Sequence, residues 1–294
     1  MPGDNETKVS QEVKPVSIQN PQKIFFIEAF LFCLTFGLGI STAVKINKIL
    51  KFEGISVAQI SFWDFVFYFG VATLFILLFV YLVKPSPKKT LFFKIIFVLA
   101  VFWGGASLLS IWMSDIFSLI LMMALVVWWL KKPSVFNQDL GVILGIAGIS
   151  SILGLSLSPF VMIPLLVIFS IYDFVAVYKT KHMVKMAKEM VESRAVLALV
   201  VPQSLSGFKS GLAKVRPGGR FLILGGGDIA FPLLFSVSLI SFGISTALIV
   251  ALFGLIGLGV GFYFFASQKV RQPMPALPPI ALFSIIGFLV TLIP

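Results

Sequence analysis

Long apolar stretches alternate with short polar connectors along most of the chain. A helix that crosses the hydrocarbon core of a bilayer needs roughly 20 mostly apolar residues, and nine stretches approach or exceed that length. The pattern therefore predicts nine transmembrane helices, of which the fourth and fifth have the least certain ends. The predicted spans cover residues 24–44, 57–83, 91–111, 114–130, 140–157, 160–178, 221–240, 244–266 and 277–293.

The overall composition supports this interpretation. Of the 294 residues, 59% are hydrophobic and only 12% are charged, with 32 phenylalanines and a mean hydropathy of +1.05. A soluble domain of this length would not tolerate such a composition. We predict an all-α polytopic membrane protein with a polar cytoplasmic tail (1–23), helices 1–6 (24–178), a cytoplasmic loop (179–220) and helices 7–9 (221–294).

The distribution of Lys and Arg predicts the orientation. If Lys94 is counted with the connector that it borders, 20 of the 23 basic residues fall in the tail and in the connectors that follow even-numbered spans, whereas Lys45, Lys48 and Lys51 alone lie on the opposite side. By the positive-inside rule, the N-terminus is expected in the cytoplasm and the C-terminus outside the cell membrane. The net charge of +11 thus reports topology, and nucleic acid is not an expected partner. Residues 1–23 lack the layout of a cleavable signal peptide, so the first span is expected to be a retained signal anchor.

The long connector, 179–220, has three parts. Lys181–Arg194 is basic and compatible with a helix, and Ser204–Gly219 is rich in Gly, Ser and Pro, as in a cytosolic, partly mobile loop. Between them, Ala195–Val201 is apolar and fits either a surface-lying segment or a strand.

Two pairs of glycines have the spacing of helix contacts. Gly141 and Gly145 lie in the fifth span, and Gly257 and Gly261 in the eighth. Small residues at this spacing let helix backbones approach closely. We interpret both pairs as packing contacts within one bundle and not as dimerisation or ligand sites.

The residue inventory restricts the chemistry. Cys33 is the single cysteine and His182 the single histidine. A disulfide framework, a zinc protease site and a Ser-His-Asp triad all require more of these residues than the chain has. No metal and no cofactor are expected, and carboxylates remain as the reactive groups.

Two aspartates stand out by their depth. Asp173 lies six residues before Lys179, and Asp228 eight residues after Arg220. At about 1.5 Å per helical residue, both sit roughly 9–12 Å inside the cytoplasmic border. Two consecutive antiparallel helices thus bring two carboxyl groups to one level.

Three other acidic residues in or beside the spans have simpler explanations. Asp64 and Asp115 lie toward the external face, where snorkelling or capping of a helix end is expected. Glu28 is on the cytoplasmic side near the start of the first helix. Its charge suits the positive end of the helix dipole, so we predict a structural role.

A facing pair of carboxyls supports two functions. Such a pair shares one proton, so the ionised member can activate water while the protonated member polarises a peptide carbonyl, as in aspartic proteases. Paired intramembrane acids also form ion pathways in channels and proton-coupled transporters. The spacing alone leaves both alternatives open, whereas a pure membrane scaffold would leave two costly buried acids unexplained.

The sequence around the aspartates favours the protease. Gly225-Gly226-Gly227 precedes Asp228 and lets another backbone approach the carboxylate. A phosphate-binding loop is disfavoured because no Lys-Ser/Thr pair follows. Four prolines within residues 273–279 prevent a regular helix at the entry to the ninth span. Non-helical backbone at membrane depth survives only in a protein interior or a watered cavity, so this segment should border the same site. The halves show no inverted repeat of the kind found in transporters.

Here the chain resembles a known family, the presenilins and signal peptide peptidases. Their YD, GxGD and PAL motifs occur here in the same order and in the corresponding spans, and the likeness covers nearly the whole chain. The matching residues are Tyr172-Asp173, Gly225-Gly226-Gly227-Asp228 and Pro275-Ala276-Leu277. Prepilin peptidases also carry a GxGD-like aspartate, but the PAL segment and the nine-span plan argue against them.

The resemblance implies a presenilin-like fold, catalytic roles for Asp173 and Asp228, and an active site shaped by the other motif residues. Substrates would be transmembrane helices or remnant signal peptides, paired as a β-strand with residues 216–224. The basic-residue count favours the presenilin orientation. The compact size indicates a minimal, prokaryotic homologue with no obligatory partner subunits, and leaves open both the oligomeric state and cleavage of the 179–220 loop.

Overall fold

The computed structural model describes residues 20–83, 86–180, 182–215, 221–268 and 272–293. Within these ranges the chain forms ten α-helices and two β-strands. The helices are α1 (Pro21–Glu53), α2 (Phe62–Leu82), α3 (Pro87–Ser110), α4 (Asp115–Lys131), α5 (Val135–Leu153), α6 (Pro159–Tyr178), α7 (His182–Glu192), α8 (Gly226–Ser238), α9 (Ile244–Ala266) and α10 (Leu277–Thr291). The strands are β1 (Ala198–Pro202) and β2 (Phe221–Gly225).

Every predicted span contains a helix, which confirms a mainly helical membrane architecture. Among the described residues, six helices are long and apolar enough to cross a membrane, namely α1, α2, α3, α5 with the turn that follows it, α6 and α9. Helices α4, α8 and α10 are shorter, with 17, 13 and 15 residues. Nine helical spans thus remain a prediction as a count of complete crossings.

The first and seventh predicted spans differ most from the structure, and the second and fifth are displaced at their N-terminal ends by about five residues. Helix α1 extends well beyond residue 44, because the amphipathic segment that follows stays helical until Gly54 ends it in the left-handed conformation (φ 69°). The seventh span, 221–240, divides into strand β2 and helix α8. The glycines at this junction disfavour helix, so the apolar run changes its secondary structure there.

The prediction of an all-α fold missed a small sheet. Strands β1 and β2 pair antiparallel, with Val200 opposite Ile223. Of the two alternatives for Ala195–Val201, the strand is therefore correct from residue 198 onward. The preceding basic segment contains the predicted helix, α7. Residues 216–220, the first part of the predicted substrate-pairing segment, lie outside the described residues.

Local sequence explains where most helices begin. Pro21, Pro87 and Pro159 occupy first-turn positions, where a missing N–H costs nothing. Ser158 caps α6 by accepting a hydrogen bond from a backbone N–H of its first turn. Ser134 forms a reciprocal capping box at the start of α5.

Helix α5 lies at the centre of the bundle and packs against α1, α3, α8 and β1. The paired glycines make the expected close contacts. A methyl group at Gly145 would lie 3.2 Å from Val101 Cα of α3, and one at Gly257 would lie 2.8 Å from Ile280 Cα of α10. The prediction of helix contacts within one bundle is thus confirmed, and the second contact fixes α10 just after the proline-rich segment.

Polar side chains of α5 hold the sheet in place. Asp139 Oδ1 accepts a hydrogen bond of 2.8 Å from the Val200 backbone N–H, and Gln138 Nε2 donates to the Val196 carbonyl. Trp129 Nε1 donates to Gln138 Oε1 over 2.8 Å. These side chains are buried, so each bond is made away from competing water.

We predict that Asp139 acts through its acceptor oxygen. Asp139→Leu removes the acceptor and leaves the buried Val200 N–H unpaired, at a cost of about 1–3 kcal/mol. Asp139→Asn also removes the carboxyl group but keeps an acceptor oxygen at nearly the same position. In detergent-solubilised protein the leucine variant should unfold at a clearly lower temperature than the asparagine variant. Equal midpoints would show that the bond to Val200 contributes nothing to stability.

Candidate active site

Asp173 lies in the C-terminal part of α6 and is buried, with 6% of its surface exposed. The backbone N–H of Leu277 interacts with its carboxyl group as a hydrogen-bond donor. Leu277 is the first residue of α10, so its N–H has no partner inside that helix and is free to donate. The second carboxyl oxygen, Oδ2, has no hydrogen-bond partner among the described residues.

Asp228 lies in the first turn of α8 and is partly buried. Gly225 is the N-cap residue of that helix, and its backbone N–H interacts with the Asp228 carboxyl as a donor. This contact is half of a capping box, in which the acidic side chain three residues into a helix returns to the N-cap amide. The fold of the GGGD segment thus positions the carboxyl group locally.

The structure brings these two carboxyl groups together. Asp173 and Asp228 lie close enough that their carboxyl groups would repel each other if both were ionised. Each also faces the N-terminal end of a helix, Asp173 that of α10 and Asp228 that of α8. The positive end of the helix dipole partly offsets the cost of negative charge at this depth.

The three glycines before Asp228 have different surroundings. A methyl group at Gly225 would lie 2.8 Å from Asp228 Oδ2, and one at Gly226 would lie 2.6 Å from the Leu197 carbonyl oxygen. One at Gly227 would approach nothing closer than 3.6 Å. Gly225 therefore makes room for the carboxyl group, and Gly226 makes room for the backbone that leads into β1.

The proline-rich segment is non-helical only in its first half. Residues 272–276 have no regular secondary structure, whereas α10 begins at Leu277 with Pro278 and Pro279 in its first turn. Those two prolines are compatible with helix because first-turn N–H groups need no intrahelical acceptor. Leu277 contacts the Asp173 carboxyl through its backbone N–H, and Pro275 and Ala276 line the adjacent cavity. Tyr172 is the neighbour of Asp173 on α6 and is 38% exposed.

A cavity of about 170 Å³ lies next to this site. Leu222, Ile223 and Leu224 of β2 line it on one side, and Pro273–Ala276 line it on another. Neighbouring side chains of a strand point to opposite faces, so three consecutive lining residues indicate that the backbone edge of β2 itself borders the cavity.

Sequence reasoning missed one residue of this region, Glu28. Its side chain lines the cavity, is 3% exposed and interacts electrostatically with Asp228. The predicted helix-dipole role does not fit, because α1 begins at Pro21 and the dipole effect falls off within the first turn. The depth argument applied to the two aspartates would have found it, since Glu28 lies about 10 Å along α1 from its start.

The other acidic residues have the predicted structural roles. Asp64 accepts a hydrogen bond of 2.7 Å from Ser61 Oγ at the start of α2, and Asp115 is the first residue of α4. Both are exposed. Among the described residues, no group of three or more His, Cys, Asp or Glu side chains could hold a metal ion.

A bundle of apolar helices that brings two aspartates together fits the class of membrane-embedded aspartic proteases. The sequence profile of the family described as signal-peptide peptidase, presenilin aspartyl protease matches residues 17–294. The chain belongs to this family and is an intramembrane-cleaving aspartic endopeptidase. Family membership decides against the channel and transporter alternatives.

Solved structures show a similar fold. A presenilin family intramembrane aspartate protease, determined in C222 and P2 crystal forms, matches with a TM-score of 0.60 in both cases. The sequence identities are 21% and 22%, and each alignment covers 89% of this chain and 94% of the other. No curated protein sequence matches the chain significantly.

Proposed function

We propose that Asp173 and Asp228 form the catalytic dyad of this protease and hydrolyse peptide bonds within transmembrane segments, including remnant signal peptides. The observation that carries the proposal is the closeness of two carboxyl groups, each placed at the N-terminal end of a helix. Such a pair cannot easily ionise twice, so it holds one proton between its members at neutral pH.

The shared proton gives the pair two complementary roles. The ionised carboxylate removes a proton from water as the water oxygen bonds to the peptide carbonyl carbon. The protonated carboxyl donates a hydrogen bond to the carbonyl oxygen, which gains negative charge. When the C–N bond breaks, the leaving amine takes up a proton from the dyad. The proton belongs to the pair, so neither aspartate has a fixed acid or base role.

Strand β2 is the element best placed to hold an extended substrate. One edge of β2 pairs with β1, and its other edge borders the cavity. On the outer edge of β1, the Val200 N–H already donates a hydrogen bond to Asp139 Oδ1 and is not available to a substrate strand. A substrate that adds a strand to β2 satisfies its own backbone groups as its helix unwinds. Residues 221–224 are the described part of the predicted pairing segment.

The orientation of the chain determines how water reaches the dyad. The distribution of basic residues supports an N-terminus in the cytoplasm and a C-terminus outside the cell membrane. The GGGD segment and the 272–276 segment are then at the cytoplasmic side, and water enters from there. The chain supplies both aspartates and the flanking motifs itself, and its compact size favours activity without obligatory partner subunits.

The direct test is product analysis with purified protein. A synthetic single-span peptide is incubated with the enzyme in detergent micelles prepared in ¹⁸O water, and the fragments are identified by mass spectrometry. We expect cleavage inside the apolar segment and one ¹⁸O atom in the new carboxyl group of the N-terminal fragment. Cleavage confined to the polar flanks, or an intact peptide after long incubation, would contradict the proposal.

A further inference from the structure

Glu28 is the acidic group of the site region that the dyad mechanism does not use. It lies on α1, whereas the two aspartates lie on α6 and α8. Its Oε2 atom is buried and has no hydrogen-bond partner among the described residues. An unpaired buried carboxyl is costly in a protein interior and more so at membrane depth. A buried carboxyl group that lowers the stability of the protein because it has no partner is a candidate to bind a polar group of a substrate.

The cavity beside Glu28 has the size and position of a side-chain subsite. Its volume of about 170 Å³ is below the roughly 300–1,000 Å³ typical of small-molecule sites. It opens along the free edge of β2, where the proposed substrate strand would lie. Alternate side chains of an added strand enter the pockets beside its partner. The occupant is therefore one substrate side chain and not a separate ligand.

The chemistry of the walls selects that side chain. Leu258 and Phe262 of α9 and Leu222 of β2 contribute apolar surface, and Glu28 contributes the carboxyl group. The nearby Asp228 adds to the negative potential. A long side chain with an apolar stem and a cationic end matches this arrangement, because the stem packs on the walls and the cation stabilises the ionised form of the buried Glu28 carboxyl group.

On these grounds, and resting on the proposed function, we propose that Glu28 is a specificity-determining residue that lines a subsite beside β2 and selects a substrate lysine near the scissile bond. The pairing supplies the missing partner of Glu28 Oε2. It also stabilises the extended conformation of the substrate, because the substrate lysine reaches the cavity only when the substrate strand is paired with β2.

The test uses a series of single-span peptides in which Lys, Leu or Glu replaces one residue at successive positions on either side of the cleavage site. Cleavage is measured as kcat/KM in detergent with the full chain. For the wild type we expect one position at which Lys exceeds Leu by about ten- to a hundredfold, the range for a hydrogen bond to a charged group. Glu is expected to be the worst residue there.

Glu28→Gln keeps the size of the side chain and should reduce the preference for Lys over Leu to less than about threefold. Glu53→Gln is the matched control, since Glu53 is exposed at the far end of the same helix, and it should retain the wild-type preference. Acetylation of the substrate lysine gives a second measurement with wild-type enzyme alone. It should remove the advantage even if Glu28→Gln does not fold.

A wild-type enzyme without a lysine preference at any position would overturn the proposal, as would an unchanged preference in Glu28→Gln or towards acetyl-lysine. These results are separable from failure of the dyad. If Asp173→Asn cleaves like the wild type, the proposed function fails. If Asp173→Asn is inactive and the lysine preference is independent of Glu28, the proposed function stands and only the proposal of a Glu28 subsite is wrong.

Discussion

Replacing either Asp173 or Asp228 with asparagine is expected to reduce cleavage of a transmembrane peptide by about 10⁴-fold or more, the upper range for loss of general acid–base catalysis. Asparagine has nearly the same size as aspartate and still accepts a hydrogen bond from Leu277 or Gly225. It cannot take a proton from water or share one with its neighbour. The chemistry is therefore lost while the surrounding structure is kept.

The measurement compares initial rates for the wild type and both variants in the same detergent, with thermal unfolding as a check on the fold. Asp115→Asn is the control, since Asp115 is exposed at the start of α4, and its rate should equal that of the wild type. Both dyad variants should unfold cooperatively. A residual rate above about one hundredth of wild type in either would show that the residue is not part of the catalytic pair.

Gly225→Ala is expected to reduce activity by about 100-fold with little change in stability. The new methyl group would lie 2.8 Å from Asp228 Oδ2, so the carboxyl group must move. Moving the end of one side chain costs little free energy, but misplacing a catalytic group by about 1 Å can cost about 10²-fold in rate. The backbone at Gly225 (φ −58°, ψ 140°) is accessible to alanine, which removes strain as an explanation.

The neighbouring glycines provide matched comparisons. Gly227→Ala should lose far less activity, because its methyl group meets no atom within 3.6 Å. Gly226→Ala should lower both the unfolding temperature and the activity, because its methyl group would lie 2.6 Å from a backbone oxygen of Leu197, which cannot simply rotate away. The cleavage rates and unfolding temperatures of the three variants are measured in parallel to check this order of effects. Equal losses for Gly225→Ala and Gly227→Ala would contradict this account of the site.

The apolar runs and the basic connectors allowed most of the helical architecture to be predicted. The ends of α9 were predicted at the residues where they occur, because the predicted span 244–266 is bounded by Gly243 and by polar Ser267 and Gln268. Counting residues to the nearest basic flank predicted only that Asp173 and Asp228 lie at a similar depth. For Asp228 the count assumed a helical rise over residues 221–225, which form β2, so the closeness of the two carboxyl groups depends on tertiary structure that the count did not include.

The sheet and Glu28 depended on contacts that the sequence does not encode locally. Strand β1 is stabilised by Asp139, about 60 residues earlier in the chain, and no periodicity in Ala195–Val201 signals that partner. Glu28 was assigned to the helix dipole because α1 was expected to begin at residue 24. Its burial depends on packing of α1 against α8 and α9. Side-chain partners at long range are set by the fold as a whole.

The short helices next to the dyad link the enzyme to the thickness of its host membrane. With 13 and 15 residues, α8 and α10 rise only about 20 Å and 22 Å, whereas the hydrocarbon core of a bilayer is about 30 Å. Helix α8 is buried within the bundle, whereas α10 presents exposed apolar residues such as Leu282 and Leu289, so the bilayer beside α10 must thin to meet the hydrophobic mismatch. Thinned lipid brings the aqueous boundary closer to a substrate helix as it unwinds. The rate of cleavage would then depend on acyl-chain length, and the same enzyme would differ in activity between membranes of different thickness.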